Sequence, residues 1–156
     1  MPRMSKKLPE QLKMELETSN VVFHTGDWQT IEVAEALREY APVKGVVGNV
    51  DGEEIRKSFP ERLIVELPGL RVGITHGHGK GKTTEKRAMD TFKNESIDLL
   101  IYGHSHIPVH KKVGNLTLFN PGSPTDKRKQ PSFSFGILAL LDGEWQLSHV
   151  FYDTKE

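Results

Sequence analysis

Four separate apolar runs in this chain end in short polar stretches built around glycine, and that repetition limits the fold more than any other feature. The stretches are His24-Thr25-Gly26-Asp27, Gly48-Asn49-Val50-Asp51, His76-Gly77-His78-Gly79 and Gly103-His104-Ser105-His106. The run at 21–23 is short and continuously apolar, and those at 43–47, 70–75 and 97–102 are mainly apolar around Lys44, Arg71 and Asp98, the pattern of strands. Open α/β sheets gather their strand ends, and their ligands, on one rim. Four polar loops on that rim predict that Asp27, Asn49, His76, His104 and His106 meet there, with glycine permitting the tight turns.

The segments between the runs supply helices and hairpins. Leu8, Leu12 and Leu16 recur every four positions amid Lys and Glu, which predicts an amphipathic helix over 8–16 with Pro9 in its first turn. A second helix is expected from Thr30, with Ile31, Ala34 and Leu37 on one face, ending before Pro42. A third, over 84–95, carries Ala88, Met89 and Phe92. Pro68-Gly69, Gly114-Asn115 and Asp142-Gly143 are turn signals between the strand pairs 62–67 with 70–75, 109–113 with 116–119, and 133–141 with 145–152. The sum is an α/β fold of two stacked mixed β-sheets flanked by helices, in a single domain over 1–156.

Composition narrows the chemistry. With no cysteine in 156 residues, a disulfide framework, a thiolate zinc site, an iron–sulfur cluster and a thiol nucleophile are all excluded. Any metal must therefore be held by His, Asp, Glu or Asn. Oxygen and imidazole donors together suit Mn, Fe, Ni or Zn better than calcium. Lys plus Arg and Asp plus Glu number 21 each, so no broad surface for nucleic acid or anionic membrane is expected. The longest apolar runs fall far short of the roughly 20 residues that span a bilayer. The Lys-rich opening segment has no signal-peptide core, and the expected compartment is the cytoplasm. The loop from Gly77 to Thr83 resembles a phosphate-binding loop, but His76 stands where that pattern needs its first glycine. Lys80 and Lys82 of that loop could still attract an anionic substrate.

In their order these motifs, completed by Asn120-Pro121-Gly122-Ser123, resemble the metallophosphoesterase (calcineurin-like) superfamily, and more closely its small YfcE-like phosphodiesterase branch. The resemblance implies an α/β/β/α sandwich holding two divalent metal ions, Mn foremost with Ni, Fe or Zn as alternatives. It also implies hydrolysis of a small phosphodiester by a metal-activated hydroxide. Asp27 would bridge the metals, Asn49, His76 and His104 would complete the second site, and His106 would belong to the first. In the family the chain opens with a strand ending in D-x-H. This sequence starts at Met1-Pro2-Arg3, where that motif should just have ended. The expectation is thus a chain with the first strand missing, one metal at the second site and impaired activity. Val50 follows Asn49 where many superfamily members place a catalytic His, so His78 is the candidate proton donor to the leaving group. Arg128, in the basic run Asp126-Lys127-Arg128-Lys129, is the candidate substrate contact. A homodimer is the assembly the family suggests. The competing reading is a non-catalytic protein-interaction scaffold of the same fold, as in the retromer subunit related to this family; retention of the five ligand residues favours the enzyme.

Overall fold

A computed structural model of the chain describes residues 1–3 and 7–155. Its first half alternates α1 (Glu10–Leu16), β1 (Val22–His24), α2 (Ile31–Arg38), β2 (Val43–Gly45) and α3 (Glu53–Ser58). Then come β3 (Arg62–Leu67), β4 (Leu70–Thr75), α4 (Thr84–Thr91), β5 (Leu99–Tyr102), β6 (Val109–Val113), β7 (Leu116–Asn120), β8 (Phe133–Leu141) and β9 (Glu144–Tyr152). Among the described residues no helix is long and apolar enough to cross a membrane.

Side-chain alternation builds the layers. Strands β3-β4-β5-β7-β6 form one mixed sheet, parallel at its centre and antiparallel at both edges. Because successive residues of a strand point to opposite faces, Leu99 and Ile101 enter one core while Leu100 and Tyr102 enter another. On the second face, Ala88 and Phe92 of the α4 segment close the core with Leu118. On the first face, Val72, Ile74, Ile101 and Phe119 meet Phe23 of β1, Leu138 of β8 and Leu147 of β9. A third core lies beyond β1 and β2, where Leu16, Leu37 and Ile55 of the three helices surround Trp28. Trp28 has no exposed surface; it stacks between His24 at 3.7 Å and Phe59 at 4.3 Å, and its indole N–H donates to the Val46 carbonyl at 2.8 Å.

The layer order is helix, sheet, sheet, helix, as the sequence leads one to expect. The sheet nearer α1 and α2 is split, however. β1 and β2 form one parallel pair and β8 and β9 one antiparallel pair, with no ladder between them among the described residues. Several boundaries also move inward, α1 starting at Glu10 and β2 ending at Gly45. α4 stops at Thr91, because Phe92 turns out of helical geometry at φ −111°, ψ 17°. β5 starts at Leu99 because the Asp98 carboxylate accepts the Arg71 backbone N–H at 2.8 Å.

Candidate metal centre

Parallel register sets the two central histidine loops side by side. Thr75 pairs with Tyr102, so β4 and β5 end together, and the Gly103 N–H donates to the His76 carbonyl at 3.1 Å. His104 thereby stands next to His76, with ring centroids 5.1 Å apart. The β1 loop reaches the same rim through a close approach at Gly26, which has φ +101°; a Cβ there would lie 2.8 Å from both the Gly48 nitrogen and His76 Nδ1. Gly48 is equally confined, since a Cβ on it would collide with the Asp27 carboxylate and backbone nitrogen.

Four of the five expected ligands converge. Asp27, His76 and His104 each offer a donor atom, and these atoms lie within 4.8 Å of one another. His76 Nδ1 lies 2.7 Å from the Thr25 carbonyl and so carries the ring proton, which leaves Nε2 as a lone pair in the neutral imidazole. That lone pair faces Asp27 Oδ2 at 3.1 Å, Asn49 Oδ1 at 3.0 Å and His104 Nδ1 at 3.3 Å. The carboxylate and the amide oxygen are acceptors too, so the cluster is short of protons. A divalent cation at their common focus turns this repulsion into ligation, and a His whose far nitrogen donates to a backbone carbonyl is the usual form of such a ligand. The donor set therefore fits a metal held by Asp27, Asn49, His76 and His104.

His106 is oriented in the same way, with Nδ1 2.6 Å from the Asp126 carbonyl. It is buried and lines the same cavity as His76 and His104, but it stands outside the tight cluster. His78 is exposed, its ring 5.4 Å from that of His76. Arg128 is exposed as well, and its guanidinium donates to the His104 carbonyl at 3.0 Å, which puts it on the rim.

Charge and strain both point to preorganisation. Burial opposes ionisation of Asp27, but the His76 imidazole facing it and the Val50 N–H outweigh it and bring the carboxyl to about 2. Burial and the neighbouring His76 push His104 down to about 4, and burial also lowers His106. A charged carboxylate and neutral imidazoles are the forms that bind metal. Asp27, His104 and His106 all adopt left-handed backbone, with φ of 59°, 67° and 61°. Such geometry costs of order 1–3 kcal/mol per residue and concentrates at functional sites.

Two supporting residues were not assigned roles from sequence. Asp51 is buried and accepts the backbone N–H groups of Asp27, Gly48 and Gln29 at 2.9, 2.8 and 2.9 Å. It ties the β1 loop to the β2 loop, and its place in Gly48-Asn49-Val50-Asp51 was the available signal. Asn120 is fully buried; its amide donates to the Gly103 carbonyl and the Ser105 hydroxyl, both at 3.1 Å, and so holds the Gly103-His104-Ser105-His106 turn.

Comparison with known proteins gives the family. Residues 4–143 match the model of the calcineurin-like phosphoesterase superfamily domain. The chain belongs to this family. Among its phosphoesterase relatives, a probable metallophosphoesterase of Methanocaldococcus jannaschii is 30% identical over 125 residues, 78% of this chain and 62% of that protein. Phosphodiesterase YfcE of Escherichia coli strain K12 is 34% identical over 115 residues, 69% of this chain. The chain thus spans 62% and 58% of these two relatives' own lengths. Among solved structures of this calcineurin-like fold, wild-type Vps29 of Entamoeba histolytica in complex with zinc superposes with a TM-score of 0.73 at 25% identity, covering 97% of this chain and 93% of that one.

His24, next to this site, gives a measurable pH dependence. It is buried, and that burial holds its imidazole well below the usual 6.5. Below pH 6.5 the unfolded chain takes up a proton that the native ring refuses, so stability falls on acidification. The slope from this one group approaches about 1.4 kcal/mol per pH unit. Urea titrations from pH 7 to 5 are expected to show a shallower decline in His24→Phe than in wild type.

Proposed function

We propose that this chain is a divalent-metal-dependent phosphodiesterase acting on small phosphodiesters, working as one domain over 1–156, with Mn the first metal to supply. The observation that carries the reading is the proton-poor cluster around His76 Nε2, where an acid, an amide oxygen and a second imidazole converge on one lone pair. The names of the phosphodiesterase relatives support the substrate class, and the zinc complex of Vps29 supports a divalent ion on this fold. When bound, such an ion activates water as a nucleophile and offsets charge on the phosphoryl group.

The chain's own residues do the rest. Asp27, Asn49, His76 and His104 hold the ion, with His106 facing the same cavity. Arg128, pinned at one N–H by the His104 carbonyl, keeps its remaining donors at the rim for a phosphate oxygen. His78, exposed beside His76, protonates the leaving oxygen. His78→Ala is accordingly expected to slow a methyl or alkyl phosphodiester about 10²-fold or more. Bis-p-nitrophenyl phosphate, whose leaving group needs no proton, should be slowed far less; parallel assays of the two substrates check this.

The deciding experiment is hydrolysis of bis-p-nitrophenyl phosphate by the Mn-loaded protein, with bound metal measured on the same sample. Turnover proportional to bound metal supports the phosphodiesterase. Bound metal, or none, without turnover overturns it in favour of a protein-binding scaffold. That second reading is favoured by Leu140, Leu141 and Phe151, exposed on the β8–β9 pair.

A further inference from the structure

The loop from Gly77 to Thr83, whose glycines and lysines suggest a phosphate cradle, is turned the opposite way. In a phosphate-binding loop the backbone N–H groups point inward to the anion. Here the carbonyls point inward, to a cation of the chain itself. Arg87 of α4 donates from Nε to the Gly77 carbonyl at 2.9 Å, and from Nη1 to the carbonyls of Gly81, at 3.2 Å, and of Lys82. Its Nη2 donates to the Thr84 hydroxyl at 3.3 Å. Lys82, one of the two cations expected to draw an anionic substrate, is instead paired with Asp90 at 2.6 Å.

His78 stands in the middle of what Arg87 holds. The Gly77 carbonyl belongs to the planar peptide group that ends at the His78 nitrogen, so the bond from Arg87 Nε fixes the plane from which His78 departs. On the other side of His78, Gly79 lies against the stem of the same side chain; a Cβ there would be 2.7 Å from Arg87 Cδ. Gly77 and Gly79 have φ of +94° and +150°, conformations that glycine takes at no steric cost and leaves as easily. Neither glycine can hold His78 by itself. Arg87 can, because its own backbone is fixed: its N–H donates to the Thr83 carbonyl at 3.0 Å and its carbonyl accepts from the Thr91 hydroxyl at 2.9 Å. The next residue, Ala88, is fully buried in the core with Leu100 and Tyr102. The guanidinium adds a rigid fork of donors that reaches several carbonyls at once.

We infer that Arg87 is a positioning residue, which clamps the turn from Gly77 to Gly79 so that His78 is held beside the metal centre for the departing oxygen. His78 is exposed, its ring 5.4 Å from that of His76, so its aim depends on the backbone beneath it. A proton donor must come within hydrogen-bond reach of the atom it serves, and a misplacement of about 1 Å can cost about 10²-fold in rate. The inference rests on the phosphodiesterase reading, in which His78 protonates the leaving oxygen. Arg87 acts through the backbone on either side of that residue.

Arg87→Met keeps a stem against Gly79 and removes every side-chain donor. In the Mn-loaded protein it is expected to slow turnover of diethyl phosphate about 10-fold or more at unchanged KM, and that of bis-p-nitrophenyl phosphate less than about 3-fold. Turnover of the aryl ester also reports that the variant folds and holds its metal. Combined with His78→Ala, Arg87→Met should add no further loss on diethyl phosphate, since both act on one group. Arg87→Lys should recover little, because an ammonium cannot span the Gly77 and Lys82 carbonyls. Equal slowing of the two esters, a loss that multiplies with His78→Ala, or full recovery by Lys would each overturn the inference. A further measurement needs no turnover: the ¹⁵N order parameter of the His78 amide in the metal-free protein should fall from about 0.85 in wild type to below about 0.6 in Arg87→Met. A wild type that hydrolyses neither ester refutes the phosphodiesterase reading, whereas an order parameter unchanged by Arg87→Met refutes the clamp whatever the activity.

Discussion

Asp27→Asn is expected to remove metal binding almost entirely while leaving the fold in place. The substitution keeps the size of the side chain and an oxygen for the Val50 N–H, which Asp27 Oδ1 accepts at 3.1 Å. What it removes is the negative charge facing His76 Nε2 at 3.1 Å. Loss of an outer partner of a metal ligand costs about 10–100-fold in affinity, so loss of a charged ligand at the centre should exceed about 100-fold. Hydrolysis should fall at least as far. The metal-free protein should lose only about 1–2 kcal/mol, the scale of a single charge-assisted hydrogen bond. Calorimetric titration with Mn and urea unfolding in EDTA separate the two effects. A variant that binds Mn as wild type does would show that the ion sits elsewhere.

That contrast also marks what the sequence could reveal. Asp27, Asn49, His76 and His104 were legible because each follows an apolar run and adjoins a glycine, a local pattern whose convergence follows from strands sharing one rim. Helix α1 was legible from Leu8, Leu12 and Leu16, and the three hairpins from their turn residues. α3 was not, because six residues with one buried apolar side chain, Ile55, carry no period to read. The end of α4 was misjudged for a tertiary reason: Phe92 keeps the helical spacing and is buried, yet it leaves the helix to pack under the Arg62 guanidinium, 5.1 Å from its ring. The left-handed backbone of Asp27, His104 and His106 was hidden as well, since glycine was expected to take such turns, whereas Asp27 and His104 take them next to a glycine and His106 takes one with no glycine adjacent.

The largest effect on stability is expected from Asp51, a residue that touches no candidate ligand atom with its own donors. Its carboxylate accepts three backbone N–H groups, from Asp27, Gln29 and Gly48, in a buried position. Asp51→Ala leaves all three without an acceptor, and at about 1–3 kcal/mol for each of the buried Asp27 and Gly48 N–H groups the loss should reach about 3–5 kcal/mol. That is a large part of the roughly 5–15 kcal/mol that holds a domain together. Asp51→Asn gives a graded check. Its oxygen can still serve Asp27 and Gly48, the pair that Oδ2 now accepts, while its amide nitrogen meets the Gln29 N–H donor to donor. About half the loss is then expected, read as a lower urea midpoint with an unchanged m-value. Because Asp51 fixes the Asp27 backbone against the loop that carries Asn49, metal affinity should fall about 10–100-fold even where the protein remains folded. A stability loss with unchanged affinity would show that the two loops find their places without this carboxylate, and that the strain at Asp27 is held by the metal ligands themselves.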